Sequence, residues 1–187
     1  IFGGSGVDTA NYKGSNAAVT VNLFNGTGTG GHAQGDTFNG VERVVGSNFA
    51  DVLIGSAATN RLSGGAGNDA MDGWLGADEL IGGGGADNFI FDAALGAGNI
   101  DTITDYAPGV DAFLLAGAVF PGLAAGALAA TAFRVGASAA DASDRIIYNS
   151  ANGAVYFDAD GAGGAAQIQF ATLSAGLALT AADFVVI

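Results

Sequence analysis

From Gly46 onward, one apolar residue returns every ninth position: Leu53, Leu62, Met71, Leu80 and Phe89. Each follows a run of small and polar residues. The run divides into five gapless nonapeptides, 46–54, 55–63, 64–72, 73–81 and 82–90, each opening on glycine. Nine is not a helical period, and glycine at this density would cost a helix about 1 kcal/mol per site. Six turn-type residues followed by three with a central apolar one predict a turn and then a short strand. Two such units make one coil with a turn on each edge. The eighth-position side chains then point inward, and only stacking of coil on coil buries them.

Two weaker copies are expected upstream. Gly3-Gly-Ser-Gly-Val-Asp8 matches the turn half, with Ala10 at the apolar position. Gly31–Asn39 offers Asp36 and Phe38. Strand-like pieces lie at Val19–Leu23 and Val41–Val45. The expected fold class is all-β: a right-handed parallel β-roll with a β-rich C-terminal cap. Three parts are expected: 1–45, degenerate repeats and lead-in strands; 46–91, the roll; and 92–187, the capping region with a terminal signal.

The sixth position carries the candidate chemistry. It reads Asp51, Asn60, Asp69, Asp78 and Asp87. Turns alternate edges, so Asp51, Asp69 and Asp87 line one edge and Asn60 and Asp78 the other. Neighbouring coils lie about 4.8 Å apart. Carboxylates about 5 Å apart repel by about 0.8 kcal/mol in water and about 3 kcal/mol at an effective dielectric of 20. The chain has only 5 Lys+Arg to set against 18 Asp+Glu, and Arg61 alone lies within the five repeats. A bound cation is therefore expected. The donors are carboxylate and carbonyl oxygens, and a many-liganded oxygen cage suits Ca²⁺. The glycines of the turns, Gly46, Gly64, Gly65, Gly67, Gly73, Gly76, Gly82, Gly83 and Gly85, allow close backbone approach and count with the aspartates as candidate metal-site residues. Three sites are expected, Asp51/Asp69, Asp69/Asp87 and a weaker Asn60/Asp78, so about three or more ions in all. Copies 46–54 and 55–63 depart from the pattern, with Ser47 and Ser56 at the second position and Phe49 and Ala58 at the fourth. Trp74 stands at the second position of 73–81.

Composition sharpens this. Glycine is 33 of 187 residues, cysteine is absent, the formal charge is −13 and half the residues are hydrophobic. A core can be built, and disorder through low hydrophobicity is a poor fit. Five basic residues cannot neutralise a run of phosphates, so no nucleic acid is expected as partner. Residues 113–133 are uncharged and long enough to span a membrane. Their Ala/Gly content and Pro121-Gly122 instead predict a buried strand, a turn and a short Ala-rich helix, with no stable membrane insertion. No catalytic motif is present, His32 reads as a surface residue, and the chain is expected not to be an enzyme.

GGAGNDAMD (64–72) and GGGGADNFI (82–90) resemble the repeats-in-toxin (RTX) nonapeptide GGxGxDxUx. The resemblance extends outward. Gly40–Ser47 resembles the lead-in strand of such rolls. Asn99–Tyr106 with Gly109-Val-Asp111 resembles the segment that follows the roll in serralysin-type proteins. Asp183-Phe184-Val185-Val186-Ile187 resembles their C-terminal secretion signal. The resemblance implies a calcium-dependent folding and export module of a larger secreted protein. Its partners would be Ca²⁺ and the type I secretion machinery of a Gram-negative bacterium, and its location extracellular. The opening residues read like the middle of a repeat, so the chain is expected to be a piece of a longer one. Two other readings stand beside this: an adhesin or polysaccharide-binding module, and a part of a secreted protease or epimerase whose catalytic domain lies upstream.

Beyond Phe89 the period fades. Strands are expected at 89–91, 101–106, 112–115, 145–149, 154–158 and 167–170, with a hairpin turning at Asn152-Gly153. Thr180–Asp183 reads as a helix start. Asp101, Asp105 and Asp111 either hold a further ion or are solvated loop residues. Asp158-Ala-Asp160-Gly161 reads as a turn, and Trp74 either braces an outer face or docks a partner.

Overall fold

A computed structural model describes all 187 residues. It contains no α-helix; seventeen short strands and three single-turn 3-10 helices carry the regular structure. The roll is built from β1 (Thr9–Asn11), β2 (Thr20–Asn22), β3 (Thr27–Thr29), β4 (Arg43–Val45), β5 (Val52–Ile54), β6 (Arg61–Ala66), β7 (Ala70–Asp72), β8 (Glu79–Gly84), β9 (Asn88–Phe91), β10 (Asp101–Ile103) and β11 (Ala112–Leu115). The remainder adds β12 (Gly126–Ala127), β13 (Phe133–Val135), β14 (Ile146–Asn149), β15 (Ala154–Phe157), β16 (Ile168–Thr172) and β17 (Phe184–Val186).

Alternate strands fall into two sheets. One runs β1-β4-β6-β8-β10-β16-β15-β14-β13, the other β12-β17-β11-β9-β7-β5-β2-β3. Pairing along the roll is parallel and in repeat register, as in Leu62↔Leu80 and Met71↔Phe89, except that β3 closes its end antiparallel to β2. Each turn therefore lies over the turn one full coil away. The inward column reads Ala10, Val44, Leu62, Leu80 and Ile103 from one sheet and Val21, Leu53, Met71, Phe89 and Phe113 from the other. None is more than 1% exposed. Side chains grow from Ala and Val toward Phe along the axis, and the core ends in an aromatic cluster. There Phe113 stacks on Phe184 at 4.7 Å between ring centres and on Phe91 at 5.6 Å, with Tyr106 at 4.9 Å. Phe120 and Phe170 extend the cluster, 5.2 Å apart.

The coil continues where the nonapeptide does not. β10 and β11 extend the two sheets below β8 and β9 with Ile103 and Phe113 inward. Longer connecting loops hide this continuation from a nine-residue ruler. Upstream, Gly3–Asp8 forms a turn of the roll, whereas Gly31–Asn39 does not. Its first residues make a 3-10 turn, Gly31–Ala33, and Asp36 accepts a hydrogen bond from the Tyr12 hydroxyl (2.6 Å). The unit in register is 37–45, with Glu42 and Val44 at its sixth and eighth positions. Glu in place of Asp, and Thr37 in place of the opening glycine, conceal it.

After β11 the expected Ala-rich helix is only a three-residue 3-10 turn, Ala130–Ala132. Gly122, Gly126 and Pro121 interrupt the segment too often for helix propagation. No helix is long and apolar enough to cross a membrane. The hairpin forms as expected, β14 pairing antiparallel with β15 and Gly153 at φ 80. Thr180 and Asp183 make a capping box on a single turn, Ala181–Asp183. The terminal Phe184–Val186 is a strand parallel to β11.

Candidate metal centre

Stacking places the sixth positions in two columns, one on each edge. On the first edge the backbone N–H of Val19 donates to Asp51 Oδ1 (2.7 Å), that of Asp51 to Asp69 Oδ1 (2.8 Å), that of Asp69 to Asp87 Oδ1 (2.8 Å) and that of Asp87 to Asp111 Oδ1 (3.0 Å). On the second edge the same ladder runs from Asp8 to Glu42 Oε2 (2.9 Å), from Asn60 to Asp78 Oδ1 (2.6 Å) and from Asp78 to Asp101 Oδ1 (3.1 Å). The pairs expected from the sequence do stack. The columns are also longer than the repeat, since Asp8 and Glu42 precede it and Asp101 and Asp111 follow it.

Asp101, Asp105 and Asp111 do not share one site. Asp101 lies on the second edge beneath Asp78, and Asp111 on the first beneath Asp87. Asp105 spends its carboxylate on the N–H groups of Gly82 (3.0 Å) and Gly83 (2.8 Å). Alternation of edges separates the first from the other two.

The columns lie in the interior. Asp51, Asn60, Asp69, Asp78, Asp87, Asp101 and Asp111 are all buried, yet neither of the molecule's two side-chain ion pairs involves them. Buried carboxylates normally carry a compensating partner. Here Asp69 Oδ2, Asp78 Oδ2 and Asp8 Oδ2 have none at all. Protonation becomes easier in consequence. Burial pushes Asp69 up to about 6, with the charges of Asp87 and Asp51 adding to it against the Asp51 N–H. Burial does the same to Asp78 (about 6). Asp101 rises to about 8, from burial and then the Asp78 charge. Burial also raises Asp87, and it raises Asp72 to about 6 with Asp92 contributing.

The donor set fits a hard cation. No three acidic or imidazole side chains converge on one point, so a cage must be completed by backbone carbonyls, and the first glycine of each turn supplies the opening. A Cβ at Gly73 would meet Asp78 Oδ2 at 2.5 Å and Asp101 Oδ2 at 3.0 Å. At Gly64 it would run into Asp69 Oδ2 and sit 2.8 Å from the Gly82 carbonyl oxygen. Oxygens from two stacked turns thus surround a hollow that only glycine leaves open. All are oxygen donors, as Ca²⁺ prefers.

Gly85 tests how tightly the turns stack. Its φ is 143, and a Cβ there would overlap the Gly67 carbonyl above it, whereas one at Gly84 meets nothing within 4 Å. Gly85→Ala is expected to cost about 2–3 kcal/mol in denaturant unfolding at saturating calcium, and Gly84→Ala no more than about 0.5 kcal/mol. Equal effects would mean that the turns are not in close register.

The remaining candidates are placed as follows. His32 is exposed on the 3-10 turn Gly31–Ala33. Asp158 Oδ1 accepts from the N–H groups of Asp160 and Gly161, which is a turn. Trp74 packs against Phe24 with ring centres 4.0 Å apart and the planes tilted by 39°. The single pair of opposed charges on the outer face of the roll is Arg61–Glu79 at 2.9 Å.

A family model described as the RTX calcium-binding nonapeptide repeat, in four copies, matches residues 36–71, 45–80 and 54–89. No curated protein matches the chain. The matched residues carry the middle of both buried oxygen columns, Glu42 included, while Asp8, Asp101 and Asp111 lie outside the match. Residues 36–89 are thus RTX calcium-binding nonapeptide repeats, and the ion such repeats bind is Ca²⁺.

Proposed function

We propose that the chain is the calcium-dependent folding and type I secretion module of a larger secreted bacterial protein, extracellular and without catalysis of its own. RTX arrays are non-catalytic calcium-binding modules, typically of secreted proteins. The observation that carries the reading is the pair of buried, uncompensated carboxylate columns. Carboxylates of these columns, together with backbone oxygens of the glycine turns, supply the ligands. Bound calcium contributes positive charge between turns that otherwise repel.

The chain's own residues do the rest. Glycine turns hold oxygens facing one another, the ladder N–H groups orient each carboxylate, and the inward column seals the core behind them. In a calcium-poor compartment the columns oppose folding. Outside it, calcium binding becomes folding free energy. Asp183–Ile187 acts in this reading as an export signal in the unfolded chain and as strand β17 in the folded one.

Circular dichroism checks the first half. The chain is expected to be largely unstructured in EDTA at neutral pH and β-rich in millimolar calcium, and identical spectra would overturn the switch. For export, a reporter fused to residues 1–187 should be secreted by a type I exporter and retained when 183–187 are deleted. Secretion unchanged by the deletion would refute the signal.

A further inference from the structure

The stacked turns are of two kinds, and they divide the columns. In the turn 46–51, Ser47 N–H and Oγ both donate to the Asp51 carboxylate (2.5 and 2.8 Å), and the Val19 N–H adds a third bond. In 55–60, Ser56 N–H and Oγ donate to Asn60 Oδ1 (2.7 and 3.1 Å), while Asn60 Nδ2 reaches the Glu42 carbonyl (3.3 Å). The Ser Oγ also accepts from the fourth-position N–H, Phe49 in one and Ala58 in the other. These turns are satisfied by their own protein groups. Asp111 is likewise held by two backbone N–H groups, of Ala107 (2.8 Å) and Asp87 (3.0 Å).

The turns 64–69, 73–78 and 82–87 differ. Their second and fourth residues have positive φ: Gly65 and Gly67, Trp74 and Gly76, Gly83 and Gly85. Trp74 is the only non-glycine residue of the whole chain with positive φ. A bulky side chain is strained in that region, so the backbone shape of this turn is kept against a penalty. These turns lack the serine donor, and in two of them the carboxylate oxygen Oδ2 is left bare, on Asp69 (0% exposed) and Asp78 (2% exposed). Asp69 faces Asp87, whose own turn is of the glycine kind. Asp78 faces Asp101, which comes from outside the matched repeats, and both present Oδ2 to the hollow at Gly73. Asp8 also has a bare Oδ2, but it stays partly exposed and its neighbour is the longer Glu42.

Resting on the calcium reading above, we propose that the principal calcium sites are the gaps Asp69/Asp87 and Asp78/Asp101, and that the gaps Asp51/Asp69 and Asn60/Asp78 hold no ion. Serine hydrogen bonds replace the metal there. The metal-binding part of the roll is thus displaced toward the C-terminus and recruits a carboxylate from the loop after the repeats, fixing β10 to β8 with an ion.

Equilibrium dialysis against labelled calcium, with folding of each variant checked by near-ultraviolet circular dichroism, tests this. Asp101→Asn and Asp87→Asn should each lose one bound ion per chain relative to the parent. Asp51→Asn and Asn60→Ala should lose none. Loss of an ion from Asp51→Asn or Asn60→Ala, or a full complement in Asp101→Asn, would overturn the assignment. A gain variant guards against misfolding: Ser56→Gly with Ala58→Gly and Asn60→Asp converts a serine turn into a glycine turn and should add one ion, and an unchanged count would count against the proposal. A parent chain that binds no calcium at all would instead refute the reading beneath it.

Discussion

Phe113→Ala is expected to release the C-terminal strand even at saturating calcium. The ring is fully buried and touches Phe91, Tyr106, Phe170 and Phe184. It is the inward residue of β11, which pairs with β9 of the roll on one side and with β17 on the other. Truncating a buried Phe costs about 3–5 kcal/mol, a large part of the about 5–15 kcal/mol that holds a typical domain together. Calcium cannot repair the loss, because the ions lie on the edges and the cavity opens in the core. Hydrogen exchange at saturating calcium should show β11 and β17 losing protection while the β5–β7 pairing keeps it. Full protection of β17 in Phe113→Ala would show that the tail is held by something other than this cluster.

Acidification should have opposite effects with and without calcium. Asp69, Asp78 and Asp101 titrate above the ordinary carboxylate range in the folded chain. The folded state then binds protons more tightly than the unfolded one. The stability these groups contribute is present in full below about pH 4 and is lost as pH rises through about 6 for Asp69 and Asp78 and about 8 for Asp101. In EDTA the chain should therefore gain β structure as pH falls from 7.5 to 4.5. In calcium the trend reverses, because protons and Ca²⁺ compete for the same oxygens, and the calcium midpoint should rise below pH 6. Asn imitates a protonated Asp, so Asp78→Asn with Asp101→Asn should flatten the response in EDTA. Far-ultraviolet circular dichroism across a pH series measures all three. A calcium-free chain that loses structure on acidification would contradict the sign.

The roll was legible in the chain because one inward residue and one turn aspartate recur in phase, and Leu53 through Phe89 needed no tertiary information to place. What lay outside the repeat was harder. The equivalence of Asp101 with Asp78, and of Asp111 with Asp87, depends on which strands pair, and loops of unequal length erase the spacing that would reveal it. Glu42 escapes a nine-residue ruler because its unit lacks the opening glycine, while Gly31–Asn39 imitates a repeat without its register. The contrast between serine and glycine turns was visible as a departure from the pattern at Ser47 and Ser56. Its meaning needed the hydrogen bonds, since a serine at the second position becomes a donor only once the turn folds it onto the sixth.

Trp74 has a use beyond its turn. It is the chain's single tryptophan, placed four residues before Asp78 and packed against Phe24 from another coil. Light absorbed at the red edge of the protein's spectrum is therefore emitted from one coil alone. The molecule carries a built-in optical gauge of its second edge, requiring no label.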